Sequence, residues 1–137
     1  MIDLDSSALA KRYADEPGSD QVRAMVAQGG ITTTILSYAE VCSGLNRKLR
    51  EGAIDSARYR AAAERLDHDW TRIEVLSLSD QVLRRARTLL ERHPLRAGDA
   101  VQLASALLLR VVTRVDFASA DRRLNRAART EGLGLLL

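Results

Sequence analysis

The chain opens with Met1-Ile2-Asp3-Leu4-Asp5-Ser6-Ser7-Ala8-Leu9-Ala10-Lys11-Arg12-Tyr13, in which a short apolar segment leads into a helix-forming one. Residues 1–5 predict a β-strand, and residues 7–13 predict a helix. A second pair follows, because residues 31–35 are β-branched throughout and precede a long amphipathic helix that ends near Glu51-Gly52. Short apolar strands that alternate with helices are typical of a parallel sheet with helices on both faces. The sequence therefore predicts an α/β fold.

The rest of the chain continues this alternation. Further strands are predicted at residues 73–78, 111–118 and 133–137. Further helices are predicted from residue 19 or 20 to about 29, at 55–70, from 79 to about 93, at 100–109 and at 121–130. Because the 137 residues contain no linker or internal repeat, we expect a single domain spanning residues 1–137.

Two of the predicted helices, between Leu36 and Trp70, carry apolar stripes at helical spacing. The stripe of the first helix is Ala39, Cys42, Leu45 and Leu49, and that of the second is Tyr59, Ala62, Ala63, Leu66 and Trp70. Such stripes have two interpretations, namely core packing and a face for a partner or a second copy.

Composition excludes several classes of protein. With 46% hydrophobic and 28% charged residues, the chain is neither disordered nor fibrous. No apolar run reaches the roughly 18 residues of a membrane span, so we expect a cytoplasmic protein with no membrane association. Cys42 is the only cysteine and cannot form an internal disulfide. Lys11 and Lys48 are the only lysines among 21 basic residues. Such arginine richness suits nucleic acid, but a GC-rich genome produces it too.

Four carboxylates lie where open parallel sheets bind ligands, which is beyond the carboxyl ends of the strands. Asp5 ends the first strand, and Glu40 lies one turn into the helix after the second. Asp99 lies in the first turn of an apolar helix, and Asp121 follows the fourth strand. Each has a plainer alternative: Asp99 and Asp121 can cap helices, and Glu40 can be a solvated helix residue. A carboxylate at the end of a buried strand, in contrast, needs a partner.

If these acids converge, their repulsion raises their pKa values unless a cation neutralises them. Mg²⁺ or Mn²⁺ is the expected cation, because hard divalent ions take oxygen ligands. The only histidines are His68, expected on an exposed helix face, and His93, expected at a helix C-terminus, so no zinc site is predicted. A carboxylate-bound Mg²⁺ supports phosphoryl chemistry.

Four motifs in order along the chain resemble PIN-domain proteins of the VapC toxin type. They are Ile2-Asp3-Leu4-Asp5-Ser6-Ser7-Ala8-Leu9-Ala10-Lys11-Arg12-Tyr13 with Glu16-Pro17-Gly18-Ser19, then Ser37-Tyr38-Ala39-Glu40-Val41, then Leu95-Arg96-Ala97-Gly98-Asp99-Ala100-Val101-Gln102-Leu103-Ala104, then Ser119-Ala120-Asp121-Arg122-Arg123-Leu124. The resemblance implies a three-layer fold with sheet order 3-2-1-4-5. It also implies an Mg²⁺- or Mn²⁺-dependent endoribonuclease that an antitoxin protein inhibits, as a homodimer or a toxin–antitoxin hetero-oligomer.

The resemblance also assigns roles to residues. It implies that the metal site is formed by Asp5, Glu40, Asp99 and Asp121, with Ser6 and Ser119 as polar supports. We further expect Arg12 and Arg96 to hold the RNA backbone. Two positions stay open: Asp116 also lies near the predicted end of the fourth strand, and Gln102 stands where many relatives have histidine.

Two other functions compete with this one. Asp3-Leu4-Asp5-Ser6-Ser7 resembles the start of haloacid-dehalogenase-type phosphatases, in which Asp3 would be the nucleophile. That chemistry needs a late lysine, and no lysine follows Lys48. The second alternative is a catalytically silent PIN-like module that only binds RNA or an antitoxin.

Overall fold

A computed structural model describes residues 1–137 of the chain. The five strands are β1 Ile2–Leu4, β2 Ile31–Thr34, β3 Glu74–Leu76, β4 Asp116–Ala118 and β5 Gly134–Leu135. The seven α-helices are α1 Ser6–Ala10, α2 Ser19–Gln28, α3 Leu36–Arg50, α4 Ser56–Trp70, α5 Asp80–Arg92, α6 Ala97–Leu109 and α7 Arg122–Thr130. A 3-10 helix, Lys11–Tyr13, continues α1. The predicted α/β class is confirmed.

The strands form one parallel sheet in the order β3-β2-β1-β4-β5, which confirms the order that the family resemblance implied. β1 is the central strand, and its Ile2 lies opposite both Ile31 of β2 and Asp116 of β4. Because all three strands run in the same direction, their last residues meet along one side of the sheet, which we call the carboxyl edge. The opposite side is the amino edge.

The register corrects the prediction for the fourth strand. β4 begins at Asp116 rather than at Val111. Val111 and Val112 are 81% and 80% exposed in the turn after α6, so this apolar pair is not part of the sheet. Asp116 lies opposite the first residue of β1, which places it at the amino edge. It is therefore not near the end of the strand as predicted, and only Asp121 follows that end.

Helices cover both faces of the sheet and enclose two apolar clusters. Phe117, which lies opposite Asp3, belongs to a cluster of 15 buried residues built mainly from α5, α6 and α7. Leu4, which lies opposite Ala118, belongs to a cluster of 10 buried residues on the side of α1 to α4. Asp3 and Asp5 point to the same face as Phe117, since side chains alternate along a strand.

Most residues of the apolar stripes of α3 and α4 belong to the core. Leu66 is buried, and Tyr59, Ala62 and Trp70 pack against the same cluster. The buried face of α3 is Ser37, Val41 and Leu45, whereas Ala39 is exposed. Ala39 was wrongly assigned because an alanine carries little apolar signal of its own.

None of the seven helices has the length and apolar character that crossing a membrane requires.

We expect Phe117→Ala to lower the free energy of unfolding by about 3–5 kcal/mol, because it empties the centre of the larger cluster. Val112→Ala should change it by less than about 0.5 kcal/mol, because Val112 is exposed. Urea denaturation of both variants measures the two values. Equal losses would contradict the described position of β4.

Candidate active site

Asp5 lies at the carboxyl edge directly after the central strand and is only 3% exposed. It is the N-cap of α1, where Oδ1 accepts hydrogen bonds from Ser7 Oγ at 2.7 Å and from the Ala8 amide at 2.8 Å. Its Oδ2 accepts one from Ser119 Oγ at 3.1 Å. The carboxylate thus joins β1, α1 and the segment after β4.

Ser7, rather than the predicted Ser6, supports Asp5 beside Ser119. Ser7 Oγ also accepts a hydrogen bond from the Ala120 amide at 2.9 Å, and Ser119 Oγ accepts one from the Asp121 amide at 2.9 Å. The structure gives Ser6 no side-chain hydrogen bond to Asp5. The N-cap position of Asp5 carries the signal for this arrangement, because side chains in the first turn lie within reach of a capping carboxylate.

Asp99 of α6 lies near Asp5, and Glu40 of α3 lies beside the start of α6. Burial raises the pKa of Asp5 to about 6, and the negative charge of Asp99 contributes to the rise despite the three hydrogen bonds to Asp5. Glu40 is an exposed helix residue, but its carboxylate lies over the first turn of α6. A Cβ atom on Gly98 would lie 2.7 Å from Glu40 Oε1, so this approach requires a glycine next to Asp99.

The alternative role as a helix cap applies to Asp121 but not to Asp99. Asp99 is the third residue of α6, whose N-cap is Arg96, so Asp99 is not a helix cap. Asp121 is the N-cap of α7, and its Oδ1 accepts hydrogen bonds from the amides of Arg123 and Leu124 at 2.7 and 3.1 Å. Its Oδ2 has no such bond. Asp121 therefore has a structural role and one unoccupied carboxylate oxygen.

The two predicted RNA-binding arginines lie at opposite edges of the sheet. Arg96 is exposed at the start of α6, three residues before Asp99. Arg12 Nε donates to Asp69 Oδ2 at 3.0 Å in a cleft lined by Gly29 and Ile73, which precede β2 and β3. Arg12 is thus at the amino edge, because α1 runs away from Asp5. Sequence spacing alone did not reveal the buried Asp69 that holds it.

The histidines match their predicted places. His68 is exposed on α4, and His93 ends α5, where its Nε2 pairs with Glu131 at 2.8 Å.

The donor set at the carboxyl edge fits a hard divalent cation in its chemistry. All four candidate ligands are carboxylates, and an ion between Asp5 and Asp99 would remove their repulsion. No three Asp, Glu, His or Cys side chains are as close together as a shared metal ion requires. The residues therefore match the ion in ligand type, but they do not form a complete three-ligand set.

A family model described as "PIN domain" matches residues 2–130, which is nearly the whole chain. The chain belongs to the PIN-domain family. Two relatives, the ribonucleases VapC45 and VapC49 of Mycobacterium tuberculosis, are each 29% identical to it over 133 residues. Each alignment covers 96% of this chain and 92% of the relative.

Solved structures share the fold at lower identity. A toxin–antitoxin complex from Klebsiella pneumoniae has a TM-score of 0.70 at 16% identity, covering 100% of this chain and 97% of that one. VapC20 of Mycobacterium tuberculosis, a toxin that cleaves the sarcin–ricin loop, has a TM-score of 0.67 at 19% identity, with coverages of 93% and 95%.

This PIN domain has a buried polar network directly beneath the acids. Gln102, one turn after Asp99, donates to Asp3 Oδ1 and, at 3.3 Å, to the Leu4 carbonyl. Its Oε1 accepts from Thr34 Oγ1 at 2.8 Å and from Ser37 Oγ at 3.3 Å. Gln102 is therefore not a lining residue of an open site but a buried link from α6 to β1, β2 and α3.

Asp3 is the residue of this network whose burial is energetically most unfavourable. It is 0% exposed, and its Oδ2 has no hydrogen-bond partner. Burial raises the pKa of Asp3 to about 8, although the bond from Gln102 opposes the rise, and the charge of Asp5 adds to it. Burial therefore favours the protonated, neutral form of Asp3. A buried, neutral acid cannot be the exposed nucleophile of a phosphatase, so the structure contradicts that alternative.

We expect Asp3→Asn to stabilise this PIN domain increasingly as the pH rises from 4 to 8. In the unfolded chain Asp3 ionises near pH 4, whereas the folded chain keeps it protonated to about pH 8. The stability contributed by Asp3 is thus complete below pH 4 and is lost as the pH rises to 8. Asparagine has no such titration.

The free energies of unfolding of the wild type and of Asp3→Asn, from urea melts at several pH values, test this expectation. The gain from the substitution should grow by at least about 1 kcal/mol between pH 4 and 8 and then level off. Because Asp5 titrates in both proteins, its contribution largely cancels. A pH-independent difference would contradict the burial of Asp3 as a neutral acid.

Proposed function

We propose that this PIN domain is an endoribonuclease toxin of the VapC type, a single-domain enzyme that cuts RNA phosphodiester bonds with Mg²⁺ or Mn²⁺. The family match over residues 2–130 carries the proposal. Two relatives that align over 96% of the chain are ribonucleases, which supports RNA as the substrate. The neighbouring charges of Asp5 and Asp99 at the carboxyl edge support a metal-dependent reaction there.

The proposed ligands are Asp5, Glu40, Asp99 and Asp121. When bound, the cation lowers the pKa of a water molecule and stabilises negative charge on the phosphate. Three hydrogen bonds fix the orientation of Asp5. The cap of α7 fixes Asp121 through Oδ1 and leaves Oδ2 free. Arg96, exposed at the start of α6, is the proposed contact to the RNA backbone.

An antitoxin protein is the proposed inhibitor. The similar structures include toxin–antitoxin complexes from Klebsiella pneumoniae and from Haemophilus influenzae, which support a partner of this kind. A homodimer or a toxin–antitoxin hetero-oligomer is the proposed assembly. A reducing cytoplasm, which holds RNA, suits a chain whose lone cysteine forms no disulfide.

Cleavage of a mixed pool of transfer, ribosomal and messenger RNA by purified protein tests the proposal. We expect cutting with Mg²⁺ or Mn²⁺ and none with a chelator. Asp5→Asn and Asp99→Asn should each lower the rate by at least about 100-fold, because each removes a charged ligand. Asp116→Asn removes the same charge at the amino edge and should keep the wild-type rate, so it serves as the matched control.

Folding of each variant is checked by its melting temperature. Equal activity of Asp5→Asn and Asp116→Asn would overturn the assigned site and indicate a contaminating nuclease. A folded wild type that binds RNA without cutting it under any metal condition would favour the silent binding module.

Gly98→Ala offers a second test, in which stability and activity change in opposite directions. Alanine is favoured over glycine within a helix by about 1 kcal/mol, so the variant should be at least as stable as the wild type. Its Cβ would displace the carboxylate of Glu40, whose flexible side chain can move at little cost to the fold. We expect cleavage to fall at least about tenfold, as in Glu40→Gln. Unchanged cleavage would show that Glu40 needs no fixed position over α6.

A further inference from the structure

A small polar cavity of about 260 Å³ lies between α7 and the loop that follows α5. Its lining consists of His93, Pro94, Arg123, Arg126, Ala127 and Thr130. Ala127 is the only hydrophobic residue among the side chains that α7 contributes to it.

The two arginines of this cavity have no carboxylate partner. Neither Arg123 nor Arg126 takes part in any of the ion pairs of the chain. Glu131, whose partner His93 lines the cavity, is already paired with His93 at 2.8 Å, Arg85 at 3.4 Å and Arg92 at 3.7 Å. Glu131 is thus neutralised, and Arg123 and Arg126 leave the cavity with a positive charge.

The position of the cavity connects it to the candidate active site. Arg123 lies in the first turn of α7, and its amide donates a hydrogen bond to Asp121 Oδ1 at 2.7 Å. Arg126 lies one turn later, within reach of the same helix face. The other wall, at His93 and Pro94, belongs to the short loop that leads into α6 and Asp99. The cavity therefore lies between the two segments that carry Asp121 and Asp99.

We propose that Arg123 and Arg126 form a phosphate-binding subsite for the RNA strand as it leaves the acidic site. This inference rests on the proposed ribonuclease function and extends it by naming a binding subsite. The ligand is a backbone phosphate, because a guanidinium pair presents planar, two-pronged donors that match phosphate oxygens. The cavity holds no room for a duplex, so a single strand enters it.

The subsite also reduces the electrostatic repulsion between RNA and the carboxylates at the carboxyl edge. RNA brings negative charge to the proposed carboxylate ligands, and the two arginines attract the RNA backbone beside them. They hold the substrate equally before and during the reaction, so they act on binding rather than on the chemical step.

The experiment measures binding and cleavage of a single-stranded oligoribonucleotide that the wild type cuts. Binding is measured with chelator at several salt concentrations, so that no cleavage occurs. Each phosphate contact on a single strand contributes about 0.7 to the slope of log affinity against log salt. We expect R123A/R126A to reduce the magnitude of that slope by about 1.4, to raise KM and to leave kcat nearly unchanged.

The matched control is R84A/R129A, which removes the same charge from exposed helix positions outside the cavity. It should keep the wild-type slope and KM. R123K/R126K, which restores the charge, should recover most of the slope but less of the KM, because lysine lacks the two-pronged geometry. Alanine keeps α7 helical, and melting temperatures verify the fold.

Equal slopes for R123A/R126A and R84A/R129A, with cleavage by the wild type intact, would overturn the subsite alone. A fall in kcat with unchanged KM would overturn it as well, since it would make the arginines part of the chemical step. A wild type that neither binds nor cuts RNA would overturn the proposed function and the subsite with it.

Discussion

A single buried carboxylate holds the carboxyl edge of this protein together. Asp5 caps α1 through one oxygen and binds Ser119 through the other, so the central strand, its following helix and the segment after β4 meet at one side chain. Burying this charge is unfavourable, as its raised pKa of about 6 indicates. The hydrogen bonds reduce that unfavourable free energy, and they hold the buried acid near Asp99. The Asp5 carboxylate therefore both organises the carboxyl edge and favours the binding of a cation there.

The sequence predicted the elements of the fold because its signals there are local. β-Branched residues in β2, the Pro94 stop after α5 and the apolar run of α6 each specify a structure without reference to the rest of the chain. The predicted start of β4 was wrong for the same reason, because Val111 and Val112 have the local pattern of a strand but lie in an exposed turn. Only pairing with β1 distinguishes the true strand from the apolar turn before it, and this pairing depends on residues far away in the sequence.

The sequence predicted which acids form the candidate site, and that assignment stays a prediction, but the sequence did not reveal their surroundings. Strand ends indicated Asp5 and Asp121, and a helix start indicated Asp99. Part of the surroundings follows from the packing of α6 on the sheet, which sets Gln102 against the buried Asp3 and Gly98 beside Glu40. Arg12 was wrongly placed near the acids because its partner, Asp69, lies on another helix. Membership of the PIN-domain family supplies the sheet order that periodicity could not.

The central position of β1 has a consequence for how the protein is made. Asp5 and Ser119 bind each other across 114 residues of sequence, and β1 gains one of its two neighbouring strands only when β4 is available. Contacts of this separation form slowly, because a long loop must close first. A chain still being synthesised on the ribosome, before β4 and Ser119 have emerged, has three of the five strands and lacks part of the carboxyl edge. Synthesis itself therefore delays assembly of the site until β4 and Ser119 have been made.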